Sequence, residues 1–370
     1  MKRFIPLLLV FGLLMSGCSV FSNNYVSVTP HRDSSEAPAN KVAAVSNYTQ
    51  LQAAFVDLVH SGAESGVIHL IDYNADMLTQ GLRSAVDYVK KNDAIGAYAV
   101  EDITYEQGIS GMIPAVAVNV VYRHDYAQIQ KIQTVRDSNA LWRKVEAALE
   151  RCDAGIVVLV EKYSEQDLEQ MVEEYATVNP NVVMEIPQVS WEVYPDKGED
   201  RVVSVKFTYQ NSRTDLREMQ SQVQPIFDSA ALYVRGGSDY QKLSRLYSFL
   251  MERFSEYQIK TSITPSYSLL HHGVGDSRAF AVVYAQMCRM ANVECQVVNG
   301  TRQGEPWSWN LVESGGGYYH VDLLASHIGS GFKLMTDDQM GSYVWDYSAY
   351  PACEGVAEEE DPAENEENSD

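Results

Sequence analysis

One set of apolar residues recurs about ninety positions further along the chain, and this limits the N-terminal half to a tandem of small mixed modules. Leu51, Phe55, Leu58 and Val59 return as Leu141, Val145, Ala148 and Leu149, both sets at helical spacing. The apolar run Val67–Tyr73, matched by Val157–Tyr163, reads as a buried strand. Leu78 and Leu82 match Leu168 and Val172 in a second helix. Each copy closes with two strand-like runs, 99–106 and 113–122 in the first, 184–194 and 202–209 in the second. Val116, Val118 and Val120 alternate as a half-buried strand requires. The unit is therefore α-β-α-β-β, once over 47–127 and again over 138–213. Its polar residues do not recur: His69 falls opposite Leu159 and Asp72 opposite Lys162. A repeat that keeps its core and not its chemistry is scaffold.

Residues 211–235 read as a connecting segment into a third domain, 235–353. Ser238 is placed to cap a helix whose apolar face is Tyr240, Leu243, Tyr247, Leu250 and Phe254. A loop over 261–275 leads to a helix that starts at Asp276 or Ser277 and ends at Met290. Phe280, Val283, Tyr284 and Met287 mark its main face, while Ala281, Val282 and Ala285 make it apolar nearly all round. A helix of that kind belongs inside a core. Strands are expected at 294–299, 308–313 and 318–323. The whole chain is α+β.

Three short blocks of this domain carry the chemical argument: Gly273-Val274-Gly275-Asp276-Ser277-Arg278-Ala279, then Glu305-Pro306-Trp307-Ser308-Trp309-Asn310, then Tyr318-Tyr319-His320-Val321-Asp322. In order and spacing, within about 50 residues, they resemble the three blocks of the transglutaminase-like superfamily, whose fold is papain-related. The resemblance covers 238–353. In that family the first block carries a Cys nucleophile, the second a His base, and the third an Asp that orients the His. Laid on this sequence, the Cys position is Gly275, the His position is Trp307, and only Asp322 matches. Attack by a thiolate needs a thiol and an imidazole within hydrogen-bond reach. Glycine offers neither, and indole is a donor without a titratable base. On this reading Asp322 is left with nothing to orient.

The resemblance implies a cleft lined by Gly275, Asp276, Ser277, Trp307 and Asp322, with Glu305 and His320 nearby. Asp276 or Ser277 also serves as an ordinary helix N-cap, Trp309 as core, and Trp307 either fills the vacated space or stacks on a ligand. Three readings stay open. In the first, an inactive domain survives as a module binding cell-wall peptide or glycan. In the second, chemistry has moved to Ser277, with His271, His272 or His320 as base, or to Asp276, Glu305 and Asp322 as paired carboxylates. In the third, the chain is purely structural in an envelope assembly. No cofactor is expected, and no Cys or His spacing points to a metal site.

The N-terminus reads as a lipoprotein signal peptide over 1–17. Lys2 and Arg3 precede the apolar run 4–15, and Met15-Ser16-Gly17-Cys18 resembles a lipobox. Cys18 becomes the lipidated residue and 18–46 a flexible tether. The protein is then exported and held on the outer face of a bacterial cytoplasmic membrane or another envelope membrane. The C-terminal stretch 354–370 carries nine Asp and Glu and no Lys or Arg, the composition of a disordered tail. With a net charge of −22, the chain lacks the basic surface that nucleic acid requires. Cys152, Cys288, Cys295 and Cys353 are open to disulfide formation in such a compartment, in pairings that spacing does not fix. Cys288, well inside the apolar helix, reads as core.

Overall fold

The computed structural model describes residues 41–256, 264–325 and 331–355. Cys18, the signal peptide, most of the expected tether and all but the first two residues of the acidic tail lie outside them. The chain divides into two compact units. Of the described residues, one unit holds those up to Leu82 with Ala99–Gln130, and the other holds Arg83–Tyr98 with those from Lys131 onward.

The first unit begins with β1 (Lys41–Val45), α1 (Tyr48–His60), β2 (Ser65–Leu70) and the start of α2 (Ala75–Lys91). The short α3 (Ala94–Ala99) follows, then β3 (Val100–Ser110), β4 (Ile113–Tyr122) and α4 (Tyr126–Gln130). Asn47 caps α1 by accepting the Gln50 N–H at 3.0 Å. The sheet runs β1-β2-β4-β3. β1 is parallel to β2, with Val42 opposite Val67, and β2 is antiparallel to β4, with Ile68 opposite Val116. Leu51, Phe55, Val59, Val116 and Val118 form its buried interior.

The second unit repeats this plan with β5 (Gln133–Asp137), α5 (Ser138–Glu150), β6 (Gly155–Lys162), α6 (Leu168–Val178), β7 (Gln188–Tyr194) and β8 (Arg201–Thr208). The order β5-β6-β8-β7 and the directions match the first sheet. Each module thus has the expected α-β-α-β-β series, preceded by one further parallel strand. That strand is short and pairs at a sheet edge, so it carries too little apolar periodicity to register in the sequence. As a consequence the expected tether ends early, because 41–45 is β1.

The C-terminal domain opens with α7 (Arg213–Tyr233) where a connecting segment was expected. Pro225 and a mostly polar composition mask a helical face on which Leu216, Val223, Phe227 and Ala230 are buried. Next come α8 (Asp239–Met251), capped by Ser238 in a capping box with Gln241, and a two-residue strand β9 (Ser255–Glu256). The expected loop before the buried helix contains α9 (Pro265–His272), started by Thr264 and Pro265 and ended by Gly273 at φ 78°. β10 (Val274–Gly275) pairs with β9 and leads into α10 (Ser277–Met290).

Every residue from Ala279 to Cys288 is buried, so α10 is the central helix its composition requires. It packs on an antiparallel sheet ordered β13-β12-β11-β14, made from β11 (Cys295–Arg302), β12 (Glu305–Ser314), β13 (Gly317–Val321) and β14 (Tyr343–Val344). Gly300 of β11 is required there, since a Cβ would lie 2.2 Å from the Val344 carbonyl oxygen and 2.9 Å from the Trp309 ring. Among the described residues no helix is long and apolar enough to cross a membrane.

Candidate functional site

The site forms where the start of α10 faces β12. Gly275 is buried at the end of β10, and Asp276 caps α10 by accepting the Ala279 N–H at 2.9 Å. A Cβ on Gly275 would lie 2.8 Å from the Ala279 Cβ and 3.0 Å from the Leu269 Cβ. The space a nucleophile would occupy is taken up by Leu269 of α9 and Ala279. The backbone at Gly275 is closely packed.

Trp307, half-buried on β12, does not leave the acid without a partner. Its Nε1–H donates to Asp322 Oδ2 at 2.7 Å. This overturns the expectation that Asp322 has nothing to orient: an indole N–H now stands where the family's imidazole N–H would. Asp322, 1% exposed, also accepts the Tyr343 hydroxyl at 2.6 Å and the Leu324 and Ala325 N–H groups at 3.0 Å each. The Arg302 guanidinium lies 4.0 Å from it and 5.1 Å from the Trp307 ring centre. Burial, then the bond to Asp322, pushes the Tyr343 phenol well above its ordinary pKa, so it remains a donor. Arg302, Tyr343 and Leu269 were not singled out from the sequence. No local spacing connects them to Asp322 or Gly275.

Outside this buried knot lies a groove of about 380 Å³, walled by Asp276, Ser277, Arg278, Asn299, Pro306 and Trp307 among others. Of the expected cleft residues, Asp276, Ser277 and Trp307 line it. Glu305 is exposed and outside the lining, while Gly275 and Asp322 are buried behind it. With Asp322 shut away and Arg278 in the wall, the groove is of mixed charge and does not form an acidic channel. Ser277 is itself buried, and its Oγ accepts the Ser308 N–H at 3.2 Å, tying helix to strand. Among the described residues no imidazole or carboxylate hydrogen-bonds that hydroxyl. His271 and His272 are exposed at the end of α9, where His271 stacks on Tyr267.

His320 is fully buried and lines no part of the groove, against the expectation that placed it nearby. Its ring packs with Trp309 and Trp345. The Trp309 Nε1–H donates to His320 Nδ1 at 2.9 Å, and indole can only donate. The ring proton is therefore on Nε2, which donates to Asp337 Oδ1 at 2.8 Å. Asp337 also accepts the Cys353 N–H at 3.1 Å, securing the end of the domain. His320, Asp337 and Cys353 bring three ligand-type atoms within 4.8 Å of one another. The donor set does not fit a cation well, because Nδ1 already accepts a bond and a metal on Nε2 would demand an imidazolate.

Burial lowers the His320 pKa from 6.5, with Asp337 opposing more weakly. The folded chain then takes up this proton less readily than the unfolded one, so stability is full above about pH 6.5 and falls as pH drops below it. Urea unfolding at about pH 8 and pH 5 is expected to show a smaller acid loss in His320→Gln, whose amide can accept from Trp309 and donate to Asp337. An equal loss in both proteins would assign the pH dependence elsewhere.

Residues 230–323 match the model of the transglutaminase-like superfamily. Among solved structures, a TGase crystal structure overlaps 61% of this chain and 68% of its own length, at 8% identity and TM-score 0.26. A structure from Cytophaga hutchinsonii, provisionally described as a cysteine protease, overlaps 40% of this chain and 65% of its own, at 10% identity and TM-score 0.26. One from Parabacteroides distasonis, provisionally described as a protease, overlaps 69% of this chain and 39% of its own, at 8% identity and TM-score 0.23. A comparison with curated protein sequences found no match.

Proposed function

We propose that this chain, which carries a transglutaminase-like domain over residues 230–323, uses that domain without catalysis, as a peptide- or glycan-binding module on a lipid-anchored envelope protein. The observation that carries the reading is the pair of changes at one locus. Gly275 has no room for a side chain, and Trp307 holds Asp322 at 2.7 Å in place of a base. Acyl transfer through a thiolate needs a nucleophile and a proton acceptor, and this locus supplies neither. What remains is a groove edged by an aromatic side chain, with one anionic and one cationic residue, Asp276 and Arg278, in its wall. Such a surface suits an extended, polar ligand that stacks on Trp307.

Hydrolase and transamidase assays on the wild-type protein are expected to give no thiol-dependent turnover. Iodoacetamide is expected to find no unusually fast cysteine. Cys288 is fully buried, and burial holds its thiol well above the ordinary range. Introducing Gly275→Cys with Trp307→His is expected to restore nothing, since the Ala279 and Leu269 Cβ atoms would lie 2.8 Å and 3.0 Å from the new Cβ. Rapid labelling of Cys288 with parallel loss of an activity would overturn the inactive reading. The binding role is tested with cell-wall fragments against wild type and Trp307→Ala; equal capture by both would remove Trp307 from it.

The anchor is a separate part of the proposal and rests on the lipobox-like Met15-Ser16-Gly17-Cys18. Cys18→Ala is expected to move the protein from the membrane fraction to the soluble one. Retention in the membrane would exclude Cys18 as the anchor.

A further inference from the structure

Cys288 and Cys295 stand on either side of the tight turn that joins α10 to β11. Three backbone features bring them together. Ala291 ends the helix, Asn292 takes a left-handed conformation at φ 56°, and the Val293 N–H returns to the Cys288 carbonyl at 2.9 Å. The chain thus doubles back within six residues, and β11 opens on Cys295 against the last turn of the helix. Cys288 is fully buried in the main core of the domain, and Cys295 packs onto that core from its edge. Cys295 stands near enough to add to the rise that burial imposes on the Cys288 thiol. No disulfide joins them to each other or to the other two described cysteines.

Their surroundings differ in one respect that decides the chemistry. Cys295 is half-buried and lines an open groove of about 600 Å³, which has Arg289, Gln296 and Glu174 in its walls. Small reagents in solvent can reach it. Cys288 has no such exposure. Of the other described cysteines, Cys353 belongs to the cluster around Trp309 and Trp345, and Cys152, in the second module's α5–β6 turn, borders the same core as Cys288.

We propose that Cys288 and Cys295 are an oxidisable dithiol, closed to a disulfide by thiol–disulfide exchange that enters through Cys295. With a low-molecular-weight disulfide as oxidant, the Cys295 thiolate attacks one sulfur, forms a mixed disulfide and expels one thiolate. The Cys288 sulfur, across the turn, then attacks Cys295, breaks the mixed bond and releases the second thiolate. Two protons leave the protein, two electrons reduce the reagent to two thiols, and one S–S bond forms. Because burial keeps the Cys288 thiol protonated, the second step is the slower one. The product would staple the C-terminal end of the central helix to the first strand of the sheet, fixing one wall of the groove. This does not depend on the proposed binding role, on export, or on Cys18.

The test uses the reduced full chain and glutathione disulfide. Arg289 lies between the two cysteines, so trypsin separates them and a disulfide shows as a linked pair of peptides, 279–289 with 290–302. Expected are the loss of two thiols per chain, that linked pair in the unreduced digest, and its disappearance on reduction. Cys295→Ser should leave Cys288 as a free thiol under the same treatment. Cys288→Ala should stop at glutathione bound to Cys295. An unchanged thiol count would overturn the proposal. So would a wild-type reaction that halts at the mixed disulfide with Cys288 free, or linkage of either cysteine to Cys152, Cys353 or a second chain.

Discussion

Asp322→Ala is expected to lower the unfolding free energy of the C-terminal domain by about 4 kcal/mol. The carboxylate accepts four hydrogen bonds, from Trp307 Nε1, the Tyr343 hydroxyl, and the Leu324 and Ala325 N–H groups. Its removal leaves Tyr343 and Leu324 with buried donors and no acceptor, each costing roughly 1–3 kcal/mol. It also leaves Arg302 without the counter-charge at 4.0 Å. Relief from no longer burying an ionised group offsets part of this, which keeps the figure below the simple sum. Asp322→Asn should cost about half as much, because one oxygen still accepts the two backbone donors while the Tyr343 hydroxyl can turn to accept from the new amide. Urea unfolding of the three proteins checks the order. A loss under about 1 kcal/mol for Asp322→Ala would mean that the acid contributes little to the fold. The expected loss would mean that it holds strand, loop and β14 together.

Trp309→Ala is expected to be comparably severe, at about 3–5 kcal/mol. The side chain is completely buried, and its rings meet Tyr343 edge-on at 5.1 Å and Trp345 at 5.7 Å. Gly300 gives it room from below, so collapse of β11 into the vacated space is blocked by the close approach of β14. His320 Nδ1 would lose its donor as well. Trp309→Phe keeps most of the apolar contact and is expected to cost about 1–2 kcal/mol, mainly for the lost hydrogen bond and the smaller ring. Denaturant midpoints with near-ultraviolet circular dichroism separate the two outcomes. Equal losses for Ala and Phe would show that the hydrogen bond to His320 dominates over packing.

The two tryptophans of β12 show how differently one strand can use one residue type. Successive side chains on a strand alternate faces, but residues two apart share one. Trp307 and Trp309 both reach the acid–histidine side of the sheet, one donating to Asp322 and the other to His320. Both acceptors come from the end of β13, also two residues apart. The pair of indole donors therefore matches a pair of acceptors on the neighbouring strand, and the second match was invisible before the strands were registered, with Asn310 opposite Val321.

Much of this protein was present in the order of its residues. Helical and alternating apolar spacing identified both modules and the central helix, because burial of one face imposes a period on whatever chain forms it. Residue identity alone bears on the positions that the resemblance assigns to a nucleophile and a base, since neither glycine nor indole can perform those steps. Segments with weak periodicity were not legible: the edge strands β1 and β5, the polar, Pro-containing α7, and the eight-residue α9. Such elements depend on neighbours for their stability more than on local preference. Tertiary structure alone decided how this locus is packed. Leu269 filling the place beside Gly275, Trp307 satisfying Asp322, and Asp337 holding His320 are contacts between residues 6 to 17 positions apart or on different elements. Side-chain direction and strand register determine such contacts, and no spacing along the chain encodes them.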